Sequence, residues 1–221
     1  MAKNINHTNR FLYCILWLCI SWIIIAPINS FATTTQNNKT PFYLLDTLVK
    51  VYRSQIGVRE LTGNNDGVEV EMYLASVGLK KGQPYCAAGV SWSFMRAGIK
   101  AVKSGWSPAW FTQKYVIYKK GIASLQKEPQ QGDVGGYYYA NLGRYGHTFF
   151  IDYWSKHGSF CITVEFNGTD KQTREGNGVV RNIVPKSKIS VVARYLPKHN
   201  TYIPFKNDKL LKEEKNDRKK I

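Results

Sequence analysis

The feature that most constrains this chain is a change of hydrophobic period at Gly132-Asp133. Before it, apolar residues recur at three and four. Leu44, Leu45, Leu48, Val49, Tyr52 and Ile56 follow Pro41 and stop at Gly57, and Ala87, Val90, Ser91 and Phe94 share one face of a run that ends at Gly98. Both read as amphipathic helices with a glycine stop. After it, β-branched and aromatic residues alternate in five runs, 134–139, 147–153, 159–166, 178–184 and 190–196, separated by Gly, Asn, Lys and Pro clusters. Helices first and strands afterwards predict an α+β fold, with N-terminal helices packed on a mainly antiparallel β-sheet.

A further helix is expected from Asp66 to Val77, with Asp66 as N-cap, Glu69 as its capping-box partner and Gly78 as the stop. The turn cluster Gly63–Gly67 is too short for a calcium loop of the EF-hand kind, so capping is the preferred reading. Residues 99–131 carry Trp106, Trp110, Tyr115 and Tyr118 without a clean period, and Pro108–Lys119 could form a short helix. Such aromatics serve either a core or a rim that stacks on sugars or peptides.

The ends differ from the middle. Lys3 and Arg10 precede an apolar run from Phe11 to Pro27, and Ser30-Phe31-Ala32 is a small-x-small cleavage site, so residues 1–32 read as a secretory signal peptide or an uncleaved anchor. Contact with a membrane is expected only if that segment is retained. Leu18 stands before Cys19 where lipid attachment would want a small residue. Residues 33–40 form a polar leader, 41–205 the folded domain, and 206–221 a charge-dense tail expected to be disordered.

The chain has 31 Lys and Arg against 15 Asp and Glu, a net charge of +16 at pH 7, and processing removes only Lys3 and Arg10. For an exported protein this disfavours nucleic acid and favours anionic wall or envelope polymers. A monomer is expected.

Two cysteines, Cys86 and Cys161, lie outside the N-terminal segment, and in an oxidising compartment one disulfide would be the plain reading. Cys86, however, falls where Gly82-Gln83-Pro84-Tyr85 gives way to a helix. Unpaired N–H groups and the positive end of the helix dipole stabilise a thiolate there, the nucleophilic form.

Of the four histidines only His147 opens a strand. If Tyr153 pairs with Ser159 across the loop Trp154–Gly158, then His147 faces Glu165, close enough for the carboxylate to fix the ring tautomer. A slip of two residues would offer Asn167 instead, and a slip of one would separate the groups onto opposite faces. Cys161, four residues before Glu165, is about 13 Å along the strand from it, too far to bridge a Cys86 placed at His147. The disulfide and the catalytic reading therefore exclude each other, and catalysis is preferred.

Taken in order, Gly-Gln-Pro-Tyr-Cys-Ala-Ala-Gly-Val-Ser-Trp (82–92), Gln-Gly-Asp-Val (131–134), Gly-His-Thr (146–148) and Val-Glu-Phe-Asn-Gly-Thr (164–169) resemble the CHAP family of cysteine, histidine-dependent amidohydrolases and peptidases. The resemblance implies a papain-like α+β fold and cleavage of amide bonds in peptidoglycan. It implies Cys86 as nucleophile, His147 as base, Glu165 as orienting acid and Asn167 as a further member, with no metal or cofactor needed.

Two departures stand out. Phe149 and Phe150 follow the histidine where small and aliphatic residues are usual, which would narrow the cleft, and Gly135-Gly136 interrupts a strand that usually runs aliphatic. The expected activity is that of an endopeptidase or N-acetylmuramoyl-L-alanine amidase. The alternatives are a non-catalytic basic module that binds the wall or envelope, and an acyltransferase using the same triad.

Overall fold

The computed structural model describes residues 41–169, 176–199 and 201–206. The expected signal segment, the leader and all of the tail beyond Lys206 lie outside the described residues. Among the described residues no helix is long and apolar enough to cross a membrane.

Among the described residues three helices precede a six-stranded sheet: α1 (Pro41–Ser54), α2 (Val68–Ser76) and α3 (Cys86–Arg96), then β1 (Val116–Lys119), β2 (Val134–Tyr139), β3 (Arg144–Trp154), β4 (Phe160–Gly168), β5 (Gly178–Pro185) and β6 (Val191–Ala193). The strand order is β1-β6-β2-β3-β4-β5, and every pairing is antiparallel. The molecule is α+β, as the change of period requires. Helix α1 buries Leu45, Leu48, Val49 and Tyr52, four of the residues placed on its apolar face. Gly98, just past α3, takes a left-handed φ of 68°, the conformation for which a glycine stop is suited.

Period two sorts β3 onto two faces. Phe150 packs with Val164, Phe166 and the helices, whereas Phe149 and Ile151 pack with Cys161, Ile189 and Val192 in a second cluster. On the helix side Tyr52 stacks on Phe150 with centroids 4.5 Å apart, and each such aromatic stabilises by about 1.5–3 kcal/mol through burial. Helix α3 lies so close to β4 that a Cβ on Gly89 would overlap the Phe166 ring.

Phe149 and Phe150 are both fully buried, so neither narrows a cleft. This corrects the expectation from sequence. Gly135 is paired with Phe149 across β2 and β3, and a Cβ on Gly135 would overlap that ring. Half of each departure is therefore one feature, the Phe149 side chain accommodated by the missing side chain of Gly135 on the neighbouring strand.

Three local expectations fail, each for a physical reason. Helix α2 begins after Gly67, and Asp66 makes no cap; it accepts from the Thr62 N–H (2.9 Å) and the Thr62 hydroxyl (2.8 Å) within the preceding turn. The residues 108–119 do not form one helix. A single 3-10 turn, Ser107–Trp110, is followed by β1, because Val116 and its neighbours pair with β6. The hairpin register also differs, since Trp154 pairs with Cys161, and a bulge between Ile151 and Tyr153 returns the pairing to Phe150 with Val164. At that bulge the buried Asp152 turns to α1 and accepts from Tyr52 Oη, Arg53 Nε and Arg181 Nε, each at 2.8 Å.

Candidate active site

Continuing the observed register towards the start of β3 sets His147 opposite Asn167 and Glu165 opposite Phe149, two residues from the expected pairing. An even shift keeps His147 and Glu165 on one face, and a diagonal pair is still within reach of long side chains. His147 Nε2 lies 2.9 Å from Glu165 Oε2. Asn167 is not brought to the ring. The pairing of β4 with β5 breaks between Glu165 and Gly168, Asn167 adopts a left-handed φ of 52°, and its Oδ1 is 2.9 Å from where a Gly176 Cβ would stand.

The carboxylate is held by more than the ring. Thr163, two residues back on the same face of β4, donates its hydroxyl to Glu165 Oε1 at 2.6 Å, and the Tyr137 hydroxyl reaches the same oxygen at 3.3 Å. Oε1 is thereby engaged, which leaves Oε2 to the imidazole. The Tyr137 ring also stacks on His147, with centroids 5.7 Å apart and 15° between planes. The sequence analysis missed both: Thr163 had a signal in its spacing of two from Glu165, and Tyr137 had none, since the pairing of β2 with β3 alone sets it opposite His147.

Cys86 is the first residue of α3 and only 5% exposed. Pro84 sets up the turn, and the α3 face carrying Ala87, Val90 and Phe94 anchors the helix in the core. The thiol and the His147 ring lie near enough for each to shift the other's ionisation. With Nε2 taken by Glu165, Nδ1 is the nitrogen left for the thiol. The Ser107 hydroxyl lies 3.5 Å from Cys86 Sγ. Ser107 sits in the aperiodic stretch and had no sequence signal.

Burial pushes the Cys86 thiol up, but the hydrogen bond and charge of His147, with smaller help from Ser107 and the Ala87 N–H, bring it down to about 7. Burial alone would lower His147, and the thiol and Glu165 together raise it to about 10. Glu165 is held below the usual carboxylate range, because His147, Thr163 and Asn182 outweigh the effect of burial. All three shifts favour a thiolate–imidazolium pair backed by a carboxylate.

Cys161 is free and fully buried in the second cluster, so among the described residues there is no disulfide. Trp110 is core, whereas Trp106 is exposed beside Ser107. Of the remaining histidines, His157 stands near the β3–β4 turn. His199 bridges the Gln131 and Thr201 carbonyls at 3.0 and 2.9 Å, beside a basic cavity of about 300 Å³ at the far end of β3. Neither joins Cys86. No group of His, Cys, Asp and Glu among the described residues could hold a metal ion.

A cysteine at the start of a helix, packed on an antiparallel sheet that supplies a histidine and a carboxylate, is the layout of a papain-like fold. No model of a known protein family and no curated protein sequence matches the chain. Similar solved structures include the peptidoglycan hydrolase RipB from Mycobacterium tuberculosis, at 14% identity over 73% of this chain and 69% of that one, with a TM-score of 0.45. A form of the resuscitation promoting factor interacting protein RipA mutated at a histidine gives 21% identity over 72% of this chain and a TM-score of 0.42, and this chain spans 64% of its length. The P60 domain of an antigen from M. avium paratuberculosis gives 15% identity over 71% of this chain and 96% of the domain, with a TM-score of 0.42.

Proposed function

We propose that the protein is an exported cysteine hydrolase that cleaves amide bonds in peptidoglycan, a CHAP-like or P60-like enzyme acting through Cys86, His147 and Glu165. One observation carries the chemical part of this reading: a buried imidazole bonded to a buried carboxylate at 2.9 Å, beside a buried thiol that it lowers to about 7. A buried cysteine without such a chain would be inert. The substrate part rests on the ordered motifs around Cys86, His147 and Glu165 and on an N-terminus read as an export signal.

In the reaction, Cys86 Sγ attacks the amide carbonyl and the imidazolium of His147 gives its proton to the departing amine. This leaves a thioester on Cys86. His147, now neutral, takes a proton from water, whose oxygen displaces the thiolate and releases the acid. Glu165 holds the ring and stabilises its charge at each step, as the acid of a triad does. The Cys86 N–H at the first turn of α3 would donate to the oxyanion, and the Ser107 hydroxyl, 3.5 Å from the sulfur, supports the thiolate.

The test is incubation of the purified protein with peptidoglycan, with mass spectrometry of the released fragments and Cys86→Ala alongside. Release by the wild type and not by the variant supports hydrolysis. Identical release by both overturns it. Binding without release by either protein would instead favour a wall-binding module, and products carrying an added amine would indicate acyl transfer.

A further inference from the structure

Three of the large apolar side chains left exposed, Trp106, Tyr139 and Leu142, lie near the site. Trp106 is 53% exposed and directly precedes Ser107, whose hydroxyl touches Cys86. Tyr139 and Leu142 lie over Gly146, where any Cβ would overlap the Tyr139 ring, and the next residue is His147. Between these two walls stands Arg144. Its guanidinium carbon is 4.2 Å from the Trp106 ring centroid, it pairs with Tyr139 across the β2–β3 ladder, and it precedes His147 by three residues of β3, about 10 Å.

Arg144 is half-buried, and among the described residues its only hydrogen bond is from Nη1 to the Tyr145 carbonyl at 3.3 Å and no carboxylate pairs with it. Every other arginine of the described residues that is drawn into the body of the fold has such a partner: Arg53 and Arg181 hold Asp152, and Arg194 holds Asp133. A guanidinium laid on an aromatic face keeps its donor edge free and fixed in one plane, which suits bidentate binding of a carboxylate. It would also offset the repulsion between an anionic substrate and the thiolate.

We propose that Arg144, positioned on Trp106, is a specificity determinant that takes a free carboxylate of the substrate next to the amide to be cleaved. This rests on the hydrolase reading and narrows it to an acidic substrate. In peptide-bearing wall fragments the carboxylate has two sources, a side-chain or branch carboxyl and the C-terminal carboxyl of the peptide.

The experiment compares soluble wall-peptide fragments in three forms, with all carboxyls free, with the branch carboxyl amidated, and with the C-terminus amidated. Each is given to the full-length wild type, Arg144→Gln and Arg144→Lys. In the wild type, amidation at one of the two places should lower kcat/KM by about tenfold or more, which names the source. In Arg144→Gln that preference should shrink to within about twofold, and Arg144→Lys should restore part of it. Equal kcat/KM for all three fragments in the wild type, or an undiminished preference in Arg144→Gln, overturns the proposal.

If no fragment is cleaved by the wild type, the hydrolase reading has failed and binding decides this inference on its own. Calorimetric titration of Cys86→Ala should then give at least tenfold tighter binding of the free form than of one amidated form, and this difference should vanish in Cys86→Ala/Arg144→Gln. Equal binding of all forms overturns it.

Discussion

Cys86 and Cys161 are both free and both buried, yet their thiols move in opposite directions. Cys86 comes down to about 7, and Cys161 goes up to about 12. Burial raises both, because it disfavours the charged form. What differs is the partner. Cys86 meets an imidazole that a carboxylate keeps charged. Cys161 sits among Phe149, Ile151, Val184 and Ile189, where the nearest acid, Glu165, opposes ionisation further and Lys186 offsets too little. Reactivity in this molecule is set by which face of which strand a thiol meets, and exposure has little part in it.

The largest effect expected is on activity. Cys86→Ala should reduce release of peptidoglycan fragments by about a thousandfold or more, with the fold retained by circular dichroism. Comparable loss from Cys161→Ser under reducing conditions would break the contrast between the two thiols. Next comes the group that keeps the imidazole charged. Glu165→Gln should cost about ten- to a thousandfold in kcat/KM and narrow the pH profile from both sides. Without the carboxylate the imidazolium loses its proton at lower pH, so the alkaline limb falls. A less charged ring also stabilises the thiolate less, so the acid limb rises.

A third check reads the thiols directly. Alkylation of Cys86 should be half-maximal near pH 7, matching the acid limb of the wild-type rate, while the alkaline limb follows His147 near pH 10. The sign follows from the pair: below about 7 the thiolate is lost, and above about 10 no proton is left for the departing amine. Cys161 should resist alkylation at any pH up to 9 until the protein is unfolded, and His147→Ala should move the Cys86 midpoint upwards. The smallest effect is Cys161→Ser, which should change the rate less than about twofold and lower stability by about 1–2 kcal/mol for a hydroxyl placed in an apolar cluster. Thermal melts and initial rates separate these two outcomes.

Much of this was legible before any tertiary structure. Periodicity placed α1 and α3 to within a few residues, found five of the six strands and stated the α+β class. It missed β1, whose four residues become a strand only because β6 lies beside them. The nucleophile, base and acid were each proposed from local signals: a turn-to-helix cysteine, a strand-opening histidine and a carboxylate on the next strand. The predicted register was nevertheless off, by three residues at the turn and by two beyond the bulge at Asp152, whose carboxylate meets Tyr52, Arg53 and Arg181, all remote in sequence. The pairing of His147 with Glu165 survived only because the shift was even. Phe149 and Phe150 were misread for the opposite reason, since a sequence records their size but not the Gly135 opposite that makes room for one of them.

Sequence alone determined what repeats at short range: the period of each element, its glycine stops, and the parity that puts Thr163 and Glu165 on one face of their own strand. Those follow from backbone geometry, which acts between neighbours. Only the tertiary structure decided that Cys86 meets His147, that Ser107 and Tyr137 join them, that Asn167 turns away, and that Arg144 lies on Trp106 without an acid of its own. These contacts join residues tens of positions apart, and they are fixed by how the core closes rather than by any local pattern.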